Sequence, residues 1–187
     1  MTDVINIGKL KFEKYLNHKD LLAEPVLEHL SKPEYSQYIN QVFVSEIDPG
    51  FADTAEFCNF YDIGLDISAN TIVIEAKRAG NIWHCACNIL ATTRADINKI
   101  IRKHINAKTA SFASMDFAVS KTKMEHGGIG IIGMPKDWPI LIDSKVLDHE
   151  YVIIGSGIRG SKIAITPNAL IKITYATVIE NMAIEIV

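Results

Sequence analysis

Residues 122–143, TKMEHGGIGIIGMPKDWPILID, form the stretch around which the rest of the chain is organised. Four glycines lie here among branched apolar residues, and two prolines then lead into an apolar run that ends on Asp143. Glycine lets a backbone approach a ligand or another backbone closely, and it adopts positive φ without steric cost. The stretch contains neither a GxxxxGK[ST] phosphate loop nor a strand-GxGxxG-helix dinucleotide unit. Two interpretations are therefore open: a loop that lines a ligand site, or a tight buried corner between two strands.

The composition is that of an ordinary single domain. The chain has 187 residues, 48% of them hydrophobic, which is sufficient for a substantial core. A net charge of −3 argues against a uniformly basic nucleic-acid-binding surface but permits a local basic patch. Three cysteines without zinc-finger spacing are typical of reduced thiols in the cytoplasm. No apolar run reaches the ~18 residues of a membrane helix, and the first 20 residues lack the apolar centre of a secretory signal.

Residues 1–40 are interpreted as an N-terminal extension that packs on a domain formed by residues 41–187. Within this extension, residues 20–30 place Leu22, Val26 and Leu30 on one helical face, with Pro25 in the first turn. Such a face either covers the core of its own chain or docks a partner.

Strands and helices alternate through the rest of the chain. Hydrophobic periodicity predicts helices at 52–62 and 93–105, and strands at 41–47, 71–76, 82–90, 151–154 and 162–165. Thr166 followed by Pro167 is a typical helix start, and the alternating tail after about residue 175 is expected to close a sheet. The sequence therefore predicts an α/β fold, a single domain with a mixed sheet flanked by helices.

A possible metal site is suggested by His84, Cys85 and Cys87. Side chains alternate between the two faces of a strand, so His84 faces away from both thiols. Two thiols without further ligands make a poor metal site, and Cys58 lies inside an apolar helical pattern. We therefore expect no metal and no other cofactor.

Three separate motifs carry a resemblance to a known family. The segments TKMEHGGIGIIGMP, ILID and IIGSGIRGSKIAITPNAL follow one another in this order. Together they resemble the YbaK-type aminoacyl-tRNA deacylase family, which is related to the editing domain of bacterial prolyl-tRNA synthetase. The family pattern is a Gly-Gly-Ile-(Ser/Thr)-Pro loop, an apolar strand ending in Asp, and a Gly-x-Arg-Gly turn. The resemblance runs from about residue 42 to residue 178, which is most of the chain.

The resemblance implies hydrolysis of the ester between a wrongly attached small amino acid and the terminal ribose of a tRNA. The implied partners are aminoacyl-tRNA and an aminoacyl-tRNA synthetase, with no cofactor. Gly127 and Gly128 would shape a cradle whose N–H groups meet the ester carbonyl, as donors fixed where negative charge develops. Gly157 and Arg159 would form a second wall, with Arg159 pairing with a tRNA phosphate. Water or the ribose hydroxyl would be the attacking group.

Two positions depart from the family pattern. The family lysine falls on Asn70, and the proline that closes the loop falls on Ile131. Asn70 can donate only a neutral hydrogen bond, and Ile131 leaves the loop without the fixed φ of proline. The sequence is therefore consistent with two function classes. One is an editing hydrolase, and the other is a non-catalytic module that binds tRNA or a small nucleotide-like ligand.

Other polar residues are weaker candidates. His126 and Glu125 precede the double glycine, so one of them is a candidate general base on water. The alternative is that Glu125 is solvated or ion-paired and His126 only packs. Asp143 either touches the ligand or caps the turn after its strand.

A basic face lies on the helix predicted at 93–105. It presents Arg94, Arg102 and Lys103, which would contact the tRNA backbone or form a solvated surface.

Overall fold

A computed structural model describes residues 3–186 of the chain. Its strands form two five-stranded sheets and a two-stranded ribbon. Neighbouring strands of the first sheet are all antiparallel. In spatial order they are β1 (Val4–Ile7), β2 (Leu10–Lys14), β3 (Val42–Glu46), β10 (Ser161–Ile165) and β9 (Val152–Gly155).

The second sheet is mixed. Its strands in order are β11 (Thr177–Ile179), β8 (Ile140–Asp143), β5 (Asn81–Leu90), β4 (Ala69–Arg78) and β7 (Thr109–Phe112). The pairs β5–β8 and β8–β11 are parallel, whereas β4 is antiparallel to both of its neighbours. The predicted α/β domain with a mixed sheet is confirmed. Its division into two sheets was not predicted, because strand pairing depends on residues far apart in sequence.

Within residues 3–186, five α-helical segments connect or cover the sheets. They are α1 (Glu24–Leu30), α2 (Thr54–Tyr61), α3 (Arg102–His104), α4 (Met115–Thr122) and α5 (Pro167–Thr174). The predicted start of α5 is confirmed, because the Thr166 hydroxyl accepts the Ala169 N–H and Pro167 occupies the first turn. No helix within residues 3–186 has the length and apolar character needed to span a bilayer.

The prediction of a helix at 93–105 is wrong for the first residues of this range. Residues Thr93–Ala95 form β6, which pairs with β12 (Ala183–Glu185) in the ribbon. Asp96 is the actual cap, accepting the Lys99 N–H, and a π-helix (Ile97–Ile101) then leads into α3. The strand that pairs with β6 comes from the far end of the chain, so the local hydrophobic periodicity could not predict this pairing.

The largest core lies between the two sheets. Its buried residues include Val44 and Ile163 from the first sheet and Val73 and Ile142 from the second. Helices α1 and α5 pack into the same core. Helix α1 contributes Val26 and Leu30, and Leu22 just before the helix is buried in the same cluster. The apolar face predicted for residues 20–30 therefore covers the core of its own chain.

Two smaller clusters cover the outer faces of the sheets. Helix α2 packs Phe57 and Cys58 against the first sheet, whereas the π-helix packs Ile101 against the second. Cys85 and Cys87 belong to this last cluster, while His84 stacks on Phe117 and Trp138 on the other side of β5. The strand-face argument about these three residues is thus confirmed. Within residues 3–186, no group of three His, Cys, Asp or Glu side chains is placed to hold a metal ion.

Residues 3–40 are integrated into the domain. Strand β2 pairs with β3, which adds the N-terminal hairpin to the first sheet. Next to α1, the Ala23 N–H donates to the Ser156 carbonyl at 3.1 Å, and the Ser161 hydroxyl donates to the Leu21 carbonyl at 2.5 Å. The N-terminal segment therefore forms hydrogen bonds to residues in and next to the turn at 155–160.

Candidate functional site

A cleft of about 350 Å³ opens where the two sheets meet. The sheets are joined by a bridge between Ser68 and Ile153, in which the Ile153 N–H donates to the Ile67 carbonyl at 2.8 Å. The walls come from the segment before α2, the start of β4, residues 126–129, β9 and β10. Segments distant in sequence therefore meet at one concave site, which is a common setting for a ligand.

The glycine loop, residues 125–130, packs backbone to backbone against the turn at 155–160. The Gly157 N–H donates to the Gly128 carbonyl at 2.8 Å, and the Glu125 N–H donates to the Gly157 carbonyl at 2.8 Å. A Cβ on Gly128 would overlap the Ile158 carbonyl, and a Cβ on Gly130 would overlap the Gly155 carbonyl. Glycine is required by this close approach. The loop is thus both a tight corner and one wall of the cleft.

The hydrogen-bond donors of the loop differ from those implied by the resemblance. The Gly128 N–H donates to the Glu125 carbonyl at 2.9 Å, so it is not available to a ligand. The N–H groups of Gly127 and Ile129 have no hydrogen-bond partner within the described residues, and both residues line the cleft. These two groups, together with the N–H of His126, which also lines the cleft and has no partner within residues 3–186, are donors that the loop can offer to a carbonyl oxygen.

Asn70 lies at the start of β4 and lines the cleft. Its side-chain oxygen accepts a hydrogen bond of 2.6 Å from the Thr54 hydroxyl, and its backbone carbonyl accepts one of 3.2 Å from the Asn88 amide. Because the side-chain oxygen is occupied, the Asn70 NH₂ group is the end available to donate to a ligand.

Arg159 holds three segments together at the rim of the cleft. Its Nη1 lies 3.3 Å from Asp53 Oδ1 and 3.3 Å from the His126 carbonyl, and its Nε donates to the Pro49 carbonyl at 3.2 Å. Its backbone N–H donates to a Glu125 carboxylate oxygen at 2.7 Å. Nε and Nη1 of Arg159 thus contact protein groups at the rim, and pairing of Arg159 with a tRNA phosphate stays a prediction.

Three residues expected at the site lie elsewhere. Ile131 is fully buried in the main core. Asp143 is 1% exposed, and its carboxylate accepts the Lys145 N–H at 3.0 Å and the Ala183 N–H at 2.8 Å. Gly157 is buried behind the glycine loop, at φ 93°. Ile131 stabilises the fold, Asp143 caps the turn after its strand, which is the second of its two expected roles, and Gly157 positions the glycine loop. None of the three is among the residues that line the cleft.

His126 lies exposed beside Gly127 and lines the cleft. Its neighbour Glu125 is engaged by the Arg159 N–H. His126 thus lies at the cleft, whereas the Glu125 carboxylate accepts a hydrogen bond from the turn at 155–160. A role as general base stays a prediction for either residue.

Lys162 lines the cleft and was not singled out from the sequence. It is 9% exposed, and its Nζ donates to the Ala52 carbonyl at 2.9 Å and lies 5.0 Å from the centre of the Phe57 ring. Burial lowers the pKa of Lys162 to about 8, although the nearby Asp53 carboxylate and Cys58 thiol act in the opposite direction. The sequence signal was one charge in the strand SKIAI, in which the last three residues are apolar.

The basic residues form a separate surface. Lys99, Arg102 and Lys103 line a shallow pocket of about 370 Å³, and Arg94 lies exposed on β6. None of these residues is among those that line the cleft. The Arg102 guanidinium donates to the Asn98 carbonyl at 2.7 Å and to the Lys108 carbonyl at 3.2 Å. Contact with tRNA at this surface stays a prediction.

The fold and the cleft define a two-sheet α/β domain with a small site at the sheet junction. Residues 48–173 match the family model described as the aminoacyl-tRNA editing domain. This match covers more than half of the chain, so the chain belongs to the aminoacyl-tRNA editing domain family, as the resemblance implied. Every residue that lines the cleft, from Ala52 to Lys162, lies inside the matched region.

Solved structures share this fold at low sequence identity. One, described as a candidate trans-editing enzyme for prolyl-tRNA synthetase, has a TM-score of 0.70 and 16% identity over 84% of this chain and 94% of its own. A scaffold protein used to present grafted linear epitopes has a TM-score of 0.70 and 17% identity over 84% of this chain and 95% of its own. A hypothetical protein has a TM-score of 0.62 and 20% identity over 71% of this chain and 85% of its own.

Proposed function

We propose that this chain is a trans-acting aminoacyl-tRNA editing hydrolase that removes a small, wrongly attached amino acid from the 3′ end of a tRNA in the cytoplasm. The proposal is carried by one observation: Asn70 and the glycine loop, which are distant in sequence, line a single open cleft within the editing domain. A collapsed cleft, or one that left out either element, would have argued for a binding or structural role.

The chemistry assigned to the cleft is hydrolysis of an ester. The N–H groups of Gly127 and Ile129 would receive the carbonyl oxygen, because they have no other partner within residues 3–186. Donors that are fixed before the reaction stabilise the negative charge that develops on this oxygen, by roughly 3 kcal/mol for one donor in measured cases. The Asn70 NH₂ group would orient the ribose, and His126 would take a proton from the attacking water.

The size and lining of the cleft favour a small amino acid. Its volume of about 350 Å³ is at the lower end for ligand sites, and Met115, Ile129 and Ile154 contribute apolar surface. Alanine, serine, cysteine and threonine are therefore the amino acids to test first.

The alternative is a non-catalytic module that binds an aminoacylated tRNA end or a small nucleotide-like ligand. The observation in its favour is that Asn70 offers only a neutral amide to the cleft. The lysine of the family pattern would form a stronger, charge-assisted hydrogen bond at this position. The similarity to a candidate trans-editing enzyme for prolyl-tRNA synthetase makes tRNA for proline the first tRNA to include, and a prolyl-tRNA synthetase the first partner to test.

The deciding experiment is a deacylation screen under single-turnover conditions. The purified protein is mixed with tRNAs charged with alanine, serine, cysteine or threonine, and the fraction still aminoacylated is followed with time. Correctly charged tRNAs and reactions without protein serve as controls. We expect one mischarged tRNA to be hydrolysed well above the rate without protein, while its correctly charged counterpart is spared.

Binding is measured in parallel with the same tRNAs. Tight binding of an aminoacylated tRNA without faster hydrolysis would establish the binding module instead. Neither binding nor hydrolysis for any member of the panel would reject both functions.

A further inference from the structure

Lys162 is a buried cation for which the proposed chemistry so far has no role. It lies on β10, an inner strand of the first sheet, and is paired on one side with Ser45 of β3 and on the other with Gly155 of β9. The backbone that carries it is therefore held from both sides.

The surroundings of the ammonium leave part of its bonding capacity free. One N–H donates to the Ala52 carbonyl, and the Phe57 ring lies on one side. Among residues 3–186, no carboxylate lies within 4.0 Å of Nζ, and the nearby Asp53 is paired with Arg159 at 3.3 Å. An ammonium has three donors, so donors remain for a ligand. Burying a charged side chain without a counter-charge destabilises the folded protein. A charged side chain that is nevertheless buried at a cleft is often one that takes part in function.

We propose that the Lys162 ammonium is a catalytic residue that donates a hydrogen bond to the ester carbonyl oxygen and stabilises its negative charge during hydrolysis. This inference rests on the proposed function. Water attacks the carbonyl carbon, and the electron pair of the C=O bond moves onto the oxygen that faces Lys162. When the intermediate collapses, the bond between carbon and ribose oxygen breaks, and the ribose oxygen takes up the proton lost by the water. Lys162 keeps its own proton throughout.

The role assigned to Lys162 gives the pH dependence a definite sign. The ammonium form is required, and burial places the pKa of Lys162 at about 8. The groups that face it are Cys58 on α2, Asp53 before α2 and Arg159 in the turn at 155–160, and His126 lies on the same cleft. The enzymatic rate, after subtraction of the rate without protein, should therefore fall as the pH rises through about 8. A neutral lysine acting as a base would give the opposite trend.

The test compares Lys162→Met, Lys162→Arg and Lys172→Met with the wild type. Met keeps much of the length without the charge, Arg keeps the charge, and Lys172 is an exposed lysine on α5 outside the cleft. We expect Lys162→Met to lower kcat by about 100-fold or more, with little change in KM, as for the loss of one oxyanion donor. Lys162→Arg should retain part of the rate, and Lys172→Met should match the wild type. Thermal unfolding establishes that each variant is folded.

The outcomes separate this inference from the proposed function. A wild type that hydrolyses mischarged tRNA together with an equally active Lys162→Met would overturn the role of Lys162 and leave the function standing. If the wild-type protein hydrolyses no tRNA of the panel, both the editing function and the role of Lys162 are rejected. If Lys162→Met does not fold, the pH profile of the wild type decides: a fall through about 8 supports the inference, and a flat or rising profile overturns it.

Discussion

The Thr54 hydroxyl donates a hydrogen bond of 2.6 Å to the side-chain oxygen of Asn70, and this bond links the start of α2 to the start of β4. Both residues line the cleft. The bond determines which way the Asn70 amide points, because an amide has one acceptor end and one donor end. It therefore presents the NH₂ group of Asn70 as the donor for a substrate.

Removing this donor should slow the reaction. In Asn70→Ala a substrate oxygen loses its partner, which costs ~1–3 kcal/mol and corresponds to a rate roughly 10- to 100-fold lower. Thr54→Val should give a smaller loss, because the amide remains but is free to turn, whereas Thr54→Ser keeps the hydroxyl as a control. Single-turnover deacylation measures all three. Asn70→Ala at the wild-type rate would place Asn70 outside the chemistry.

Gly127 and Gly80 form a matched pair for testing the glycine loop. They have similar positive φ values of 79° and 83°, but a Cβ on Gly80 would meet no atom within 4 Å, whereas a Cβ on Gly127 would overlap Arg159 Nη1. Each change to alanine adds left-handed strain of roughly 1–2 kcal/mol. Only Gly127→Ala should also displace Arg159 from Asp53 and lower the deacylation rate.

Denaturant unfolding and deacylation rates are measured for Gly127→Ala and Gly80→Ala together. We expect comparable losses of unfolding free energy and a loss of activity confined to Gly127→Ala. Full activity in Gly127→Ala would show that the contact between Arg159 and Asp53 does not shape the cleft.

The basic surface on the outer face of the second sheet can be tested through salt dependence. Arg102 is held by two backbone carbonyls, so the exposed Lys99 and Lys103 are the better residues to reverse. If this surface contacts tRNA phosphates, Lys99→Glu with Lys103→Glu should weaken binding and reduce the slope of log K against log salt concentration. A control with Lys19→Glu and Lys172→Glu changes the net charge equally on other elements. Equal slopes for the two double variants would exclude specific contact at this surface.

His29 gives the stability a predicted pH dependence. Its Nε2 lies 2.8 Å from the Ile173 carbonyl, and burial lowers the pKa of His29 in the folded protein. The unfolded chain then binds more protons than the folded protein near the ordinary histidine pKa of about 6.5, so the unfolding free energy should fall as the pH decreases from about 7 to 5. His84, whose pKa is also lowered by burial, acts in the same direction.

His29→Gln should flatten this pH dependence in part, because His84 remains. His104→Gln changes an exposed histidine and serves as the control. Urea unfolding at several pH values between 5 and 8 measures the slopes. A slope unchanged in His29→Gln would show that His29 is not the group that titrates.

The sequence by itself determined the features that depend on neighbouring residues. The strand β3, the hairpin of β4 and β5, and the cap of α5 by Thr166 follow from periodicity and from hydrogen bonds within a few residues. The same local reasoning placed His84 opposite Cys85 and Cys87. The motif order also identified the family, because three motifs in fixed succession constrain one another.

Only the tertiary structure decided which groups face the cleft. Strand β6 exists because β12 supplies its hydrogen bonds from the far end of the chain, and the Gly128 N–H is unavailable because the loop folds back on Glu125. Lys162 reaches the site because β10 lies between β3 and β9, beside α2. Burial and pairing between distant segments set the availability of each donor and charge, and no local pattern in a sequence encodes these contacts.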